Sequence, residues 1–310
     1  MAAAACDDAV ELLSRLVDKE EEPLKKTFEN VHQGYPTETL VRFLKAREFN
    51  VNKAHKMLVD SLNWRVQNEI DSILEKPIIP VDLYRSIRET QLVGLSGYSK
   101  EVNYYVQSHI QINEYRDRII LPMVTKKFGR PISTCIKVLD MTGLKLSALN
   151  QMKIVTAIST VDDLNYPEKT ETYYIVNAPY IFSACWKVVK PLLQERTRKK
   201  VHVLRGCGRD ELLKIMDQSS LPHFCREGSG SSKHSPNDPD NCFSLEHPFH
   251  QEVYRFIEEQ ALNQELIKQE SLHVNIPEQD PEDAKIVEVI QAEFHKLGEQ
   301  NGCANGNTKE

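Results

Sequence analysis

Three short runs of strand-forming residues, spaced by two stretches of helix length, constrain this chain more than any other feature. Thr134–Leu139 (TCIKVL), Thr172–Val176 (TYYIV) and Val201–Leu204 (VHVL) are rich in β-branched or aromatic residues and have strand length. The intervening segments, about 147–161 and 180–193, have helical composition. Two strands that run the same way cannot be joined by a tight turn, and a helix-sized crossover between them is right-handed. This alternation therefore predicts an α/β fold with a mainly parallel sheet. Asp140-Met-Thr-Gly143 and Asn177-Ala-Pro179 fall where strands should end, the usual ligand-binding edge of an open α/β sheet.

The first third reads as helices. Val10, Leu13, Leu16 and Val17 keep the three-and-four spacing of one buried face. After Gly34-Tyr35-Pro36, Thr37 is placed to cap a helix with Leu40, Phe43 and Leu44 inside, and Asn50 to cap the next, with Ala54, Met57, Leu58 and Leu62 inside. Pro77 and Pro80 mark a boundary. The predicted organisation is a helical module over 1–75, an α/β domain over 76–227, a flexible linker over 228–244 built on the low-complexity run EGSGSSKHSPNDPDN, C-terminal helices over 245–300 and a disordered tail over 301–310. Pro248 suits the first position of one C-terminal helix, and a shorter helix is predicted over 285–297.

Composition narrows the function classes. With 40% hydrophobic and 27% charged residues, the 310-residue chain can bury a core, and its net charge of −6 argues against a globally basic nucleic-acid binder. No run approaches the roughly 20 apolar residues of a bilayer span. The N-terminus carries the pair Asp7-Asp8 where a signal peptide wants basic residues. A soluble protein of a reducing compartment is predicted. The seven cysteines are scattered and contain no C-x-x-C pair, so no zinc site or disulfide framework is indicated; Cys135 and Cys185 read as small buried hydrophobes.

Between Lys187 and Arg205 stand seven basic residues and one acid, Glu195. Lys187, Lys190, Arg196, Arg198 and Lys199 follow or interrupt an apolar stripe that holds Phe182, Trp186, Val189 and Leu193. A stripe of this kind beside cations is what an element docking on an anionic membrane surface needs, each nearby cation contributing on the order of 1 kcal/mol. Gly206-Cys-Gly208 opens like a dinucleotide fingerprint, but Glu211 stands in place of the third glycine, so a turn that caps a helix is the better account. No G-x-S-x-G, H-E-x-x-H or phosphate-loop motif occurs. Asp162 and Asp163 are adjacent and should not share a helix face, and His202 reads as packed on its strand.

Several ordered motifs then carry a resemblance. Leu40-Val-Arg-Phe-Leu-Lys-Ala-Arg-Glu-Phe-Asn-Val-Asn-Lys-Ala54 with Trp64-Arg65 resembles the N-terminal helical module of the CRAL-TRIO lipid-binding family. Tyr166-Pro-Glu168, Tyr174-Ile-Val-Asn-Ala-Pro179, Phe182-Ser183, Lys190-Pro-Leu192, Lys200-Val-His-Val-Leu204 and Leu221-Pro222 resemble its lipid domain. The branch is that of the secretory phosphatidylinositol/phosphatidylcholine transfer proteins, and the resemblance spans about 8–227. It implies a hydrophobic pocket closed by a movable gate helix at about 180–193. It also implies an inositol-phosphate site of Arg47, Glu168, Thr197 and Lys200, in which cations and a hydroxyl meet phosphate and a carboxylate meets inositol hydroxyls. The chain departs from the family in three places. Glu48 replaces a frequent basic residue, and Cys135 and Lys137 stand where choline-lipid binders carry hydroxyls. A first strand with a Gly-x-Pro opening is missing between Leu92–Lys100 and the helix predicted over 103–121.

The resemblance implies a phospholipid, chiefly phosphatidylinositol, exchanged between membranes without a covalent step. It implies no cofactor beyond that bound lipid, no metal, no nucleic-acid partner, a monomer, and a cytoplasmic protein that visits surfaces such as the Golgi or plasma membrane. The alternatives are a lipid-sensing scaffold that presents its ligand to a phosphoinositide kinase, or an inactive shortened isoform without transfer. An enzyme such as a lipid hydrolase is a further rival.

Overall fold

The computed structural model describes residues 2–78, 82, 84, 85, 99–145, 152–193, 195–226, 240–242, 244–262, 274–278 and 281–304. Four helices open the chain: Ala2–Val17 (α1), Glu22–His32 (α2), Pro36–Ala46 (α3) and Val51–Gln67 (α4). Leu13, Val17, Phe28, Leu40, Phe43, Leu44, Leu58 and Leu62 close into one apolar core, as the 3.6-residue spacing requires. Asn50 caps α4, its side chain accepting from the Lys53 amide at 3.0 Å. Thr37 does not cap α3; the helix starts one residue earlier at Pro36, whose fixed φ suits a first helical position, with Tyr35 outside it.

The next helix, Ser99–Tyr115 (α5), passes through a π-helical turn at Arg116–Ile120 into Leu121–Phe128 (α6), so it starts earlier than the predicted 103. The place expected for the family's first strand, after 92–100, is described only in part: 86–98 lie outside the described residues, and from Ser99 onward the chain is helical. The three predicted strands are present: Cys135–Asp140 (β1), Thr170–Val176 (β2) and Val201–Val203 (β3), in the order β1-β2-β3 and all parallel. Lys137 pairs with Tyr173 and Leu139 with Ile175. The crossovers are Met152–Asn165 (α7) and Tyr180–Val189 (α8). A short 3-10 turn, Lys190–Leu192, follows α8 and leads to Glu195–Lys200 (α9).

After β3, Gly208 caps the one-turn helix Arg209–Leu212 (α10) from a positive φ of 67°. A Cβ there would lie 2.6 Å from the Leu204 side chain, so only glycine fits this turn. The reading of Gly206–Gly208 as a capped turn agrees with this geometry. His202 is exposed instead of packed, its ring stacked on Tyr174, and Cys135 is half-buried where Cys185 is buried.

The C-terminal region is built into the body. Most of the predicted linker, 227–239, lies outside the described residues, but its end does not behave as a linker, since Asn241 and Ser244 are buried. Pro248–Leu262 (α11) starts at Pro248 as predicted and sends Val253 and Ile257 into the core of Trp64, Ile73, Ile110, Tyr115 and Val161. Asn275 ties the following segment to α4: its amide donates to Asn68 Oδ1 at 2.6 Å, and its carbonyl accepts from Trp64 Nε1 at 2.8 Å. The last helix, Pro281–Ala304 (α12), is longer than the predicted 285–297 and takes in the first four residues of the predicted tail. The rest of that tail, 305–310, lies outside the described residues.

Candidate functional site: a cavity with a basic end

One cavity of about 550 Å³ lies against a face of the parallel sheet among α7, α8, α9 and α12 and reaches the N-terminal ends of β2 and β3 at Thr170 and Val201, so the predicted ligand edge at 140–143 and 177–179 does not line it. Alternation along β1 and β2 aims Lys137, Leu139, Tyr173 and Ile175 at it. Opposite stand Trp186 and Val189 of α8, then Leu192 and Leu193. Phe182, predicted as a gate residue, does not line the cavity; its ring stacks on Trp186 at 6.1 Å and backs that wall from outside.

One end is basic, and all four residues of the headgroup set meet there. Arg47, just past the end of α3, Thr197 and Lys200 of α9, and Glu168 before β2 line the same opening. Thr197 and Lys200 share a face because they lie three apart on a helix. Glu168 is held in the left-handed region, φ 57°, by the turn after Pro167. Its carboxylate accepts from Lys200 Nζ at 2.6 Å and faces Arg196 Nε at 3.5 Å, and Lys200 also donates to the Thr170 carbonyl at 3.1 Å. Three cations against one carboxylate leave this end with excess positive charge and a hydroxyl, a setting that suits an anionic phosphate.

Arg196 is therefore a correction. Predicted to face a membrane, it turns inward, lines the cavity, pairs with Glu168 and donates to the Lys45 carbonyl. Lys187, Lys190, Arg198 and Lys199 are exposed as predicted, beside exposed Tyr180, Val188 and Leu192.

The middle of the cavity holds a charged network that the sequence reading missed. Asp162 accepts from Asn113 Nδ2 at 2.8 Å, meets His109 Nε2 at 2.7 Å and pairs with Lys137 Nζ at 3.2 Å. Burial alone would raise the Asp162 carboxyl, but His109 and Lys137 hold it well below its usual value. Asp163 borders the cavity too, so the two neighbours do not diverge as the helical spacing suggested. Asp163 is exposed at the cavity rim, yet partial desolvation there, followed by Asp283 of α12 and Asp162, pushes its carboxyl up to about 6. The available signal was Lys137 itself, a charged residue two positions from Leu139 on a strand face that otherwise looks inward.

Beneath the site lies a fully buried ion pair. Arg65 (3% exposed) donates to both oxygens of Glu114, at 2.7 and 2.8 Å, while Tyr166 donates its hydroxyl to Glu114 Oε1 at 2.7 Å. Burial works against the Arg65 charge, but Glu114 outweighs it and drives the guanidinium pKa well above its ordinary value. This pair fixes Tyr166 and with it the Tyr166-Pro-Glu168 turn that presents Glu168. Among the described residues no group of His, Cys, Asp and Glu is arranged to hold a metal ion, and no helix is long and apolar enough to cross a membrane.

Comparison with known proteins covers the same regions. Residues 9–60 match the CRAL/TRIO N-terminal domain and residues 100–226 the CRAL/TRIO domain. The SEC14 cytosolic factor of Eremothecium gossypii is 30% identical over 205 residues, 59% of this chain and 67% of that protein. The CRAL-TRIO domain-containing protein YKL091C of Saccharomyces cerevisiae is 28% identical over 238 residues, 67% of this chain and 76% of that protein. The phosphatidylinositol/phosphatidylcholine transfer protein SFH9 of Arabidopsis thaliana is 28% identical over 217 residues, 62% of this chain. The chain spans only 37% of that plant protein's length and 38% of its relative SFH12.

Proposed function

Because this chain belongs to the CRAL-TRIO family, we propose that it binds an inositol phospholipid and carries it between membranes. The phosphate-bearing headgroup sits at Arg47, Thr197 and Lys200, Glu168 accepts from the inositol hydroxyls, and an acyl chain runs along Leu139, Ile175 and Val189. The observation that carries this reading is the excess positive charge at one end of a cavity that also brings Leu139, Ile175, Trp186 and Val189 together beside the Lys137–Asp162 pair.

The mechanism is physical, without a cofactor and without a bond made or broken. Each methylene costs about 0.8 kcal/mol to bring into water, so an acyl chain leaves a bilayer slowly unless an apolar cavity receives it first. Lys187, Lys190, Arg198 and Lys199 bring α8 to an anionic surface, the exposed Tyr180, Val188 and Leu192 enter the headgroup boundary, and α8 swings to let one lipid trade for another. The protein works from the cytoplasm and touches membranes transiently, as a monomer.

The test is transfer of labelled phosphatidylinositol from donor to acceptor vesicles by the purified chain. Transfer well above the spontaneous rate is expected, and a chain that neither binds nor moves the lipid refutes the proposal. A second reading, a sensor that keeps its lipid for a phosphoinositide kinase, is favoured by one observation: α12 lies along α8 and holds it. Stable binding without transfer selects that reading.

A further inference from the structure

Where the N-terminal helices join the lipid domain, five cations meet three carboxylates among the described residues. Arg65 is matched by Glu114 and Asp71. That leaves Arg42, Arg116, Arg118 and Lys169 with Asp117, which accepts from Arg116 Nε at 2.7 Å and pairs with Lys169 Nζ at 3.0 Å. Even with Glu38, half-buried one turn before Arg42, the cations stay in excess. Arg42 is 6% exposed and bonds no carboxylate. Its guanidinium donates to Thr39 Oγ1 at 2.9 Å and, at 3.4 Å, to the Glu38 carbonyl, which leaves some of its five donors over. Arg118 donates to the Asp71 carbonyl at 2.8 Å, an acceptor without net charge. Burial pushes the Arg42 and Lys169 pKa values down, and surplus charge in such a place costs free energy until a counter-charge reaches it.

The structure has room for one. A cavity of about 20 Å³ lies among Arg42, Arg65, Arg118 and Lys169, with Glu114 and Asp117 on its wall. It holds one water-sized particle and is too small for a phosphate. Asn165 also lines it, is 5% exposed, and has a buried Nδ2 donor with no partner. A water there would leave the charge unbalanced, whereas a halide accepts from several N–H groups at once and cancels one charge. We propose that this cavity is a halide site, in which a single chloride held by Arg42, Lys169 and Asn165 ties the N-terminal helices to the turn that presents Glu168. The site is separate from the lipid cavity, and the inference does not rest on the phospholipid reading.

Two measurements test it on the full chain. Crystals grown without halide and soaked in sodium bromide are expected to show an anomalous peak between Arg42, Lys169 and Asn165. A water at that place, or bromide on exposed cations alone as an adventitious ion only, overturns the proposal. In solution, urea unfolding is followed in sodium chloride and in sodium gluconate at equal ionic strength, so that screening cancels. An ion that binds the folded state alone raises the midpoint in step with the logarithm of its concentration, and that rise is expected with chloride; equal midpoints in the two salts overturn the proposal. Asn165→Asp supplies the negative charge covalently and is expected to remove the chloride dependence, with a midpoint in gluconate no lower than the parent's. A variant that keeps the full chloride dependence places the ion elsewhere and overturns the assignment, and the bromide peak decides the matter if the variant does not fold.

Discussion

At the scale of single residues, Lys200 is the cation on which most of the site converges. It is held by Glu168 and by the Thr170 carbonyl, and an ammonium has three donors, so one remains for a ligand oxygen. Replacing it leaves Glu168 facing Arg196, and no buried charge is stranded. Lys200→Ala is therefore expected to cut phosphatidylinositol loading by on the order of tenfold, the loss of one charge-assisted hydrogen bond, with the melting temperature unchanged; equal loading by the variant rejects the headgroup assignment. Arg65 is the opposite case. Among the described residues, Arg65→Met leaves the Glu114 carboxylate in the core with the Tyr166 hydroxyl as its remaining donor, and breaking a buried pair this way costs about 3–5 kcal/mol. Urea unfolding measures that loss, and a variant as stable as the parent would show that the pair carries no stability.

At the scale of elements, α8 joins two properties that separate in most helices, an inner face that lines a cavity and an outer face built for a surface. Charge reversal of Lys187, Lys190 and Arg198 to Glu is expected to abolish co-sedimentation with anionic vesicles at low salt without changing stability, since these residues are exposed. Undiminished binding would move the docking surface elsewhere. The repulsion between Asp163 of α7 and Asp283 of α12 is sensitive to pH. Folding raises the Asp163 carboxyl from 3.8 to about 6, so the native state binds its proton more tightly than the unfolded chain. Its stabilising contribution is full below 3.8 and is lost as pH rises through 6. Asp162, held low, acts in the other direction: its contribution is present above the ordinary carboxylate range and is lost as pH falls below it. Asp163→Asn should flatten the fall in urea midpoint between pH 4 and 6; the same slope in the variant contradicts the crowding of Asp163 by Asp283.

At the scale of the whole molecule, the legible parts are those governed by local periodicity. Strands β1, β2 and β3, the apolar faces of α1, α3 and α4 and the Asn50 cap follow from spacing and side-chain chemistry alone, whereas α2 was not read from the sequence. The assembly of Arg47, Glu168, Thr197 and Lys200 was legible only through family resemblance, because the four come from three separate elements that no local pattern links. Long-range placement was not legible. The stripe Ile286, Ile290, Phe294 and Leu297 marks α12 as amphipathic, yet nothing in it names α8 as the surface it covers. Arg196 was misread for a related reason: charge on a surface helix says nothing about the carboxylate waiting across a turn.

The most direct test of the lipid site is a crystal structure of the chain loaded from vesicles that contain inositol phospholipid. The account predicts a phosphate oxygen about 3 Å from Lys200 Nζ and hydrocarbon against Leu139, Ile175 and Val189. A cavity filled by its own side chains, or a lipid whose headgroup lies away from Arg47, Thr197 and Lys200, would contradict it.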